Sequence, residues 1–104
     1  MKLSLHDAAQ EGAESQIGWY QARSEQAAFR LGELISDGLV AISTDPWQFS
    51  LMEWRFNRGN IRRIHIQDFP ILIIYQVLAD EVFVIAVAHA SQRSGYWRSR
   101  LRKG

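Results

Sequence analysis

The sequence has 104 residues, of which 47% are hydrophobic and 22% are charged, with a net charge of +1, two Pro and no Cys. This length predicts a single domain over residues 1–104, and the lack of Cys excludes a disulfide framework, a thiolate metal site and a Cys nucleophile. Because the longest apolar run, Val82 to Ala88, has seven residues and a membrane-spanning helix needs about 20, we expect a cytoplasmic protein without membrane contact.

A short strand and two helices are predicted in the first half of the chain. Apolar and polar residues alternate over residues 2–5, which indicates the strand. Asp7 is the predicted N-cap of the first helix and Ser24 that of the second, and almost no loop separates the two, so they form an antiparallel hairpin. Apolar residues at helical spacing give each helix one buried face: Ala9, Ala13, Ile17 and Tyr20 in the first, and Ala28, Leu31, Ile35, Leu39 and Ile42 in the second.

The second half of the chain predicts strands. Pro46 ends the second helix, since the residue before a proline is disfavoured in the α conformation. Residues 46–60 are expected to be irregular, with a short strand around Met52 to Phe56. Helices followed by consecutive strands indicate an α+β fold, with the helical hairpin packed on a small three- to four-stranded antiparallel sheet. The predicted strands are Ile61 to Phe69, Ile71 to Leu78 and Val82 to Ala90.

Charge is distributed unevenly along the chain. Residues 1–52 carry three bases and seven acids, a net charge of −4, whereas residues 53–104 carry nine bases and four acids, a net charge of +5. Ten of the twelve bases are Arg, whose planar guanidinium matches phosphate and carboxylate groups. The second half therefore has either an anionic partner or an ordinary amphoteric surface.

Two groups of polar side chains flank the two apolar strands in the sequence. A basic and imidazole group precedes the strands, and a basic, imidazole and aromatic group stands at the end of the second strand and after it. If these strands pair as a meander, the two groups meet at one edge of the sheet and form a concave basic patch. Such a patch could hold a phosphate and transfer protons, as in ribonuclease-type transesterification, or it could be a docking surface without chemistry. The residues concerned are Arg62, Arg63, His65, His89, Arg93, Tyr96, Trp97 and Arg98.

Each of these residues also has a purely structural interpretation. The two histidines could be a packing residue and a surface residue, and adjacent arginines can protect an edge strand from unwanted pairing. Tyr96 and Trp97 could cover the end of the sheet, and residues 98–104 could be a solvated, disordered basic tail. The three His are too far apart in sequence for a zinc motif, so we expect neither a metal nor a cofactor.

Four landmarks resemble the ParE/RelE superfamily of bacterial toxins from type II toxin–antitoxin (plasmid stabilisation) modules. The order and spacing of these landmarks carry the resemblance, which covers about residues 3–100. Ser94 stands where the family usually has Pro, and His89 is one residue farther from Arg93 than in the common form. The landmarks are the first helix with Trp19-Tyr20, the stretch from Arg62-Arg63 through Phe69-Pro70 to Ile74-Tyr75, the strand end Ala86-Val87-Ala88-His89, and Arg93-Ser94-Gly95-Tyr96-Trp97-Arg98.

The resemblance implies a toxin that is neutralised by a cognate antitoxin, with an oligomeric state set by that complex. ParE-like members poison DNA gyrase and RelE-like members cleave mRNA on the ribosome. The landmarks favour the gyrase poison; an mRNA endoribonuclease is the alternative and an inactive relative a third possibility, so whether the protein is an enzyme stays open. A gyrase poison would bind its target through Arg62, Arg63, Arg93, Tyr96, Trp97 and Arg98. An endoribonuclease would use Arg62, Arg63, His89, Arg93 and Tyr96 as catalytic residues.

Overall fold

The computed structural model describes residues 1–52 and 60–102. It confirms the α+β fold, with a helical hairpin packed on a sheet. Most of the strand predicted around Met52 to Phe56 lies outside the described residues. In chain order the elements are β1 (Lys2–Leu5), α1 (Asp7–Gln21), α2 (Glu25–Thr44), a 3-10 turn (Pro46–Gln48), β2 (Ile61–His65), β3 (Ile71–Val77), β4 (Glu81–His89) and a second 3-10 turn (Arg98–Arg100).

The two helices begin at capping side chains. Ser24 Oγ accepts a hydrogen bond from the Ala27 N–H at 3.2 Å, which confirms the predicted cap of α2. The predicted cap of α1 is wrong by one residue: His6 Nδ1 accepts from the Ala8 N–H at 3.0 Å. Asp7 is instead the first residue of the helix, where the helix dipole favours a carboxylate.

The sheet has the strand order β1-β4-β3-β2. The β2–β3 and β3–β4 pairs are antiparallel, as predicted, whereas β1 runs parallel to β4 at one edge. A parallel pair needs a long crossover connection, and the chain between β1 and β4 contains the helical hairpin. The sheet is therefore mostly antiparallel, with one parallel edge that the sequence pattern did not show.

Both faces of the sheet are covered. The helix-covered face packs side chains such as Ile73 and Val84 against Leu31 and Ile35 of α2. Helix α1 lies close to β4, because a Cβ at Gly12 would be 2.5 Å from the backbone oxygen of Val87. The lack of a side chain at Gly12 thus sets the distance between helix and sheet.

The opposite face, called the distal face below, packs against the end of the chain. Trp97 is 1% exposed and lies in a core with residues such as Ile74 and Ile85. Residues 98–102 continue along the distal face and bond to it: Arg100 donates to the Ile85 carbonyl at 2.8 Å. Residues 98–102 of the predicted tail are thus packed on the sheet. Residues 103 and 104 are not among the described residues.

Candidate functional site

A cleft of about 480 Å³ opens on the distal face, where the C-terminal half of β2 lies beside the residues that follow β4. Its rim carries two guanidinium groups, two imidazoles and a phenol, and its floor is apolar. No acidic side chain is among the described residues that line it. We call it the basic cleft; its rim is Arg63, His65, His89, Arg93 and Tyr96, and its floor includes Leu72, Ile74 and Ala88.

Strand register places the β2 residues at this cleft. His65 is paired with Leu72 of β3, and Leu72 is paired with Ala88 of β4. Since side chains on paired residues project from the same face, these three positions form one row across the distal face. Arg63 precedes His65 by two residues and so shares that face. The predicted meander therefore brings the β2 arginine and the end of β4 together.

A tight turn after β4 brings the other half of the rim back over the sheet. The His89 N–H donates to Gln92 Oε1 at 3.0 Å, and the Gln92 N–H donates to the His89 carbonyl at 3.0 Å. Gly95 then has a φ of 80°, a left-handed conformation that glycine adopts without strain. This conformation turns the chain so that Tyr96 reaches the cleft.

Arg62 does not line the basic cleft, although it was predicted to share a site with Arg63. It projects to the opposite face, where its guanidinium donates to the carbonyls of Phe49 at 2.6 Å and Trp47 at 3.1 Å. The neighbouring Tyr75 is fully buried and donates to the Pro46 carbonyl at 2.6 Å. Burial raises the pKa of Tyr75 to about 12, partly offset by Arg62. Arg62 thus ties the chain after α2 to the sheet.

His89 stands at the border of two cavities. Besides the basic cleft, it lines a second cavity of about 350 Å³ with Trp19 and Tyr20 of α1. Its Nδ1 accepts from the Ser91 N–H at 3.0 Å and lies 2.7 Å from the Ser91 hydroxyl. In the neutral ring that arrangement leaves the proton on Nε2, so Nδ1 is not free to accept a proton from a ligand.

The three predicted residues at the end of the site have different surroundings. Tyr96 is half-buried beneath the Arg100 guanidinium, whose central carbon is 5.0 Å from the ring centroid. Trp97 is 1% exposed and packs in the distal core, and it also lines the inner part of the basic cleft; its role in binding a target stays a prediction. Arg98 is exposed at the start of the second 3-10 turn.

Some lining residues had no sequence signal. Ser50 and Met52 reach the cleft because the Arg63 N–H donates to the Ser50 carbonyl at 3.1 Å and the Met52 N–H donates to the Ile61 carbonyl at 2.9 Å. Gln92 lines both cavities. These contacts depend on a long-range pairing that no local pattern shows.

The arrangement suits an anionic ligand. Two guanidinium groups and two imidazoles surround an apolar floor, and within residues 1–52 and 60–102 the side chains of Arg63 and Arg93 take part in no ion pair. Over the same residues, no group of three or more His, Asp or Glu is arranged to hold a metal ion. No helix among them has the length and apolar character for crossing a membrane.

Comparisons with known proteins agree with this fold. One solved structure, described as "Chromosomal ParDE TA system from P. aeruginosa", is similar over 86% of this chain and 95% of that chain, with a TM-score of 0.71 and 14% identity. At that identity the similarity shows the fold alone. The comparison with curated proteins found no match. The sequence model of the ParE toxin of the type II toxin–antitoxin system parDE matches residues 3–94, and the chain therefore belongs to the ParE toxin family.

Proposed function

We propose that this toxin inhibits bacterial growth by binding and poisoning DNA gyrase, and that the basic cleft is its contact surface. The observation that carries the proposal is the convergence of Arg63 and Arg93 on one cleft whose described lining has no acidic side chain. Guanidinium groups with no ion-pair partner among the described residues can bind carboxylates of a protein or phosphates of DNA. Family membership supplies the toxin class, and the resemblance to ParE-like members supplies the target.

The contacts of two residues argue against mRNA cleavage. Arg62 is committed to backbone carbonyls on the other face. Nδ1 of His89 accepts from Ser91, so the neutral His89 ring has no free nitrogen to act as a general base. An endoribonuclease would therefore have to act with the remaining rim of the basic cleft. His65 supplies that rim with an imidazole, the side chain that most often serves as a general acid or base, and this observation keeps mRNA cleavage as the second candidate.

Two assays with the purified protein decide between these activities. In the first, the protein is titrated into gyrase with relaxed plasmid and ATP, and supercoiling and linear DNA released by detergent and protease are quantified. In the second, the protein is added to ribosomes that are translating a defined mRNA, and the cleavage sites are mapped by primer extension. We expect inhibited supercoiling with linear DNA in the first assay and intact mRNA in the second. Cleaved mRNA with unaffected gyrase would refute the proposal.

A cognate antitoxin is the second part of the proposal. The structural relative is described as a ParDE system, which supports a ParD-like partner for this chain. Co-expression with the short reading frame next to the toxin gene should restore growth, and the two proteins should co-purify. Continued growth arrest in the presence of that neighbouring protein would contradict this part of the proposal.

A further inference from the structure

Gln76 is the one buried polar side chain among residues 1–52 and 60–102, with 1% of its surface exposed. It lies on β3 and projects from the distal face, between the buried residues of an otherwise apolar strand. A buried carboxamide is unfavourable unless its polar groups are hydrogen-bonded. The carboxamide of Gln76 therefore needs hydrogen-bond partners within the fold.

Both polar groups of Gln76 bond to the backbone of one residue near the end of the chain. Nε2 donates to the Arg102 carbonyl at 2.6 Å, and Oε1 accepts from the Arg102 N–H at 3.0 Å. Residues that face each other in a hydrogen-bonded antiparallel pair exchange the same two bonds. The side chain of Gln76 thus takes the place of a backbone peptide and pairs with Arg102 as a neighbouring strand would.

We call the pairing of Gln76 with the Arg102 backbone the anchor, and the side chain of Arg102 adds two contacts to it. Its Nη1 lies 2.8 Å from Glu81 Oε1, and its guanidinium carbon lies 3.8 Å from the ring centroid of Phe83. Glu81 is itself held by the Ser4 hydroxyl, which donates to Oε2 at 2.9 Å. The anchor therefore connects the end of the chain to β1, β3 and β4.

A β-bulge supplies a second attachment farther back along the segment. Tyr75 pairs with Val84 and Ile74 with Ala86, so Ile85 is the extra residue in β4. A bulge leaves one residue of the strand outside the regular ladder, and the Ile85 carbonyl accepts from Arg100 Nη1 at 2.8 Å. Residues 96–102, called the C-terminal segment below, are thus bonded to the sheet at both Arg100 and Arg102.

We propose that Gln76 is the positioning residue that fixes the C-terminal segment on the distal face and so gives the basic cleft its shape. Tyr96 is part of the rim of that cleft, and Arg100 lies over its ring. Without the carboxamide, the backbone polar groups of Arg102 can turn to water, so residues 98–102 detach while Trp97 and the rest of the core stay in place. The consequence for activity rests on the proposed function, because that proposal makes the cleft the contact surface.

Substitutions at Arg102 test its bonds to Gln76 without changing a buried side chain. Arg102→Pro removes the N–H that Gln76 accepts from, and Leu101 already has a φ of −62° and a ψ of 139°, a conformation that a following proline permits. Arg102→Ala is the matched control, since it also removes the guanidinium but keeps both backbone bonds. Gln76→Met then removes both bonds from the other side with a side chain of similar size.

The measurements are amide hydrogen exchange of residues 98–101, which keep their N–H groups in every variant, and the rate of trypsin cleavage after Arg98 and Arg100. We expect both rates to rise at least tenfold in Arg102→Pro and Gln76→Met and at most threefold in Arg102→Ala. Exchange in β3 and β4 reports whether the domain stays folded. Equal rates in Arg102→Pro and Arg102→Ala would overturn the role of Gln76, even if Gln76→Met failed to fold.

Gyrase inhibition by the same proteins tests the effect on the cleft. We expect Arg102→Pro to need at least tenfold more protein than Arg102→Ala for half inhibition. A released segment with unchanged inhibition would overturn the positioning role. If the unsubstituted protein left gyrase unaffected, the proposed function would fail, whereas hydrogen exchange would still decide whether Gln76 anchors the segment.

Discussion

Two glycines of α1 provide a matched test of how closely that helix lies against the sheet. A Cβ at Gly12 would be 2.5 Å from the Val87 backbone oxygen, whereas a Cβ at Gly18 would meet nothing within 4 Å. Ordinary contact begins at 3.4 Å, so Gly12→Ala forces α1 away from β4. The carbonyl of Val87 belongs to a strand within the sheet and cannot rotate aside as a side chain could.

The two substitutions should therefore change stability in opposite directions. Overpacking costs about 1–3 kcal/mol, and a helical Gly→Ala change gains up to about 1 kcal/mol. We expect Gly12→Ala to lower the free energy of unfolding by about 1–2 kcal/mol and Gly18→Ala to raise it by about 0.5–1 kcal/mol. Urea titration followed by circular dichroism measures both values. A stabilising effect of similar size in both variants would refute the close approach of α1 to β4.

Three further predictions concern burial and charge. Burial favours the neutral phenol of Tyr75, and the resulting stability is fully present below its ordinary pKa of 10.0. Roughly 2–3 kcal/mol of that stability is lost as the pH rises towards the folded pKa of about 12. In urea titrations, Tyr75→Phe should lose less stability between pH 9 and 11 than the unsubstituted protein, and an equal loss would contradict this. Trp97→Ala should cost about 3–5 kcal/mol in the same assay, and a cost below about 1 kcal/mol would show that Trp97 is not in the core. Arg30→Ala breaks an ion pair with Asp68 in which the side chains are 53% and 55% exposed. The free energy of unfolding should therefore fall by less than about 1 kcal/mol, and growth arrest should persist; a larger loss of stability would contradict this prediction.

The sequence was sufficient to predict the layers of the fold, because burial imposes a repeat that is visible locally. Residues such as Leu31 and Ile35 are spaced for one face of a helix, and both are buried against the sheet. The parallel pairing of β1 could not be predicted in this way. It depends on where the helical hairpin returns the chain, and four residues with a simple alternation do not specify a direction.

The glycines show a different limit of sequence analysis. Spacing indicates that Gly12 and Gly18 lie within a helix, where each would weaken it by about 1 kcal/mol. It does not indicate that Gly12 faces a backbone oxygen of β4 and Gly18 faces open space. That difference arises from the packing of helix on sheet, so it requires the three-dimensional structure.

Strand alternation could predict which face a site residue occupies. It could not predict contacts between residues that are far apart in the sequence. Alternation puts Arg63 and Arg62 on opposite faces, and the structure adds that Arg62 is held by two carbonyls of the turn after α2. Tyr96 and Trp97 are adjacent aromatic residues in a basic stretch, yet Trp97 is 1% exposed in the core and Tyr96 is half-buried at the rim of the cleft. Their separation follows from the turn at Gly95 and the anchor at Gln76.

The most direct test of the central claim is the concentration of toxin that half-inhibits gyrase supercoiling, measured for single arginine variants. If the basic cleft binds gyrase, Arg63→Ala and Arg93→Ala should each raise that concentration at least tenfold, which corresponds to about 1.4 kcal/mol. Arg30→Ala, on the helical side of the molecule, should change it less than twofold. Equal inhibition by all three variants would show that the toxin meets its target through another surface.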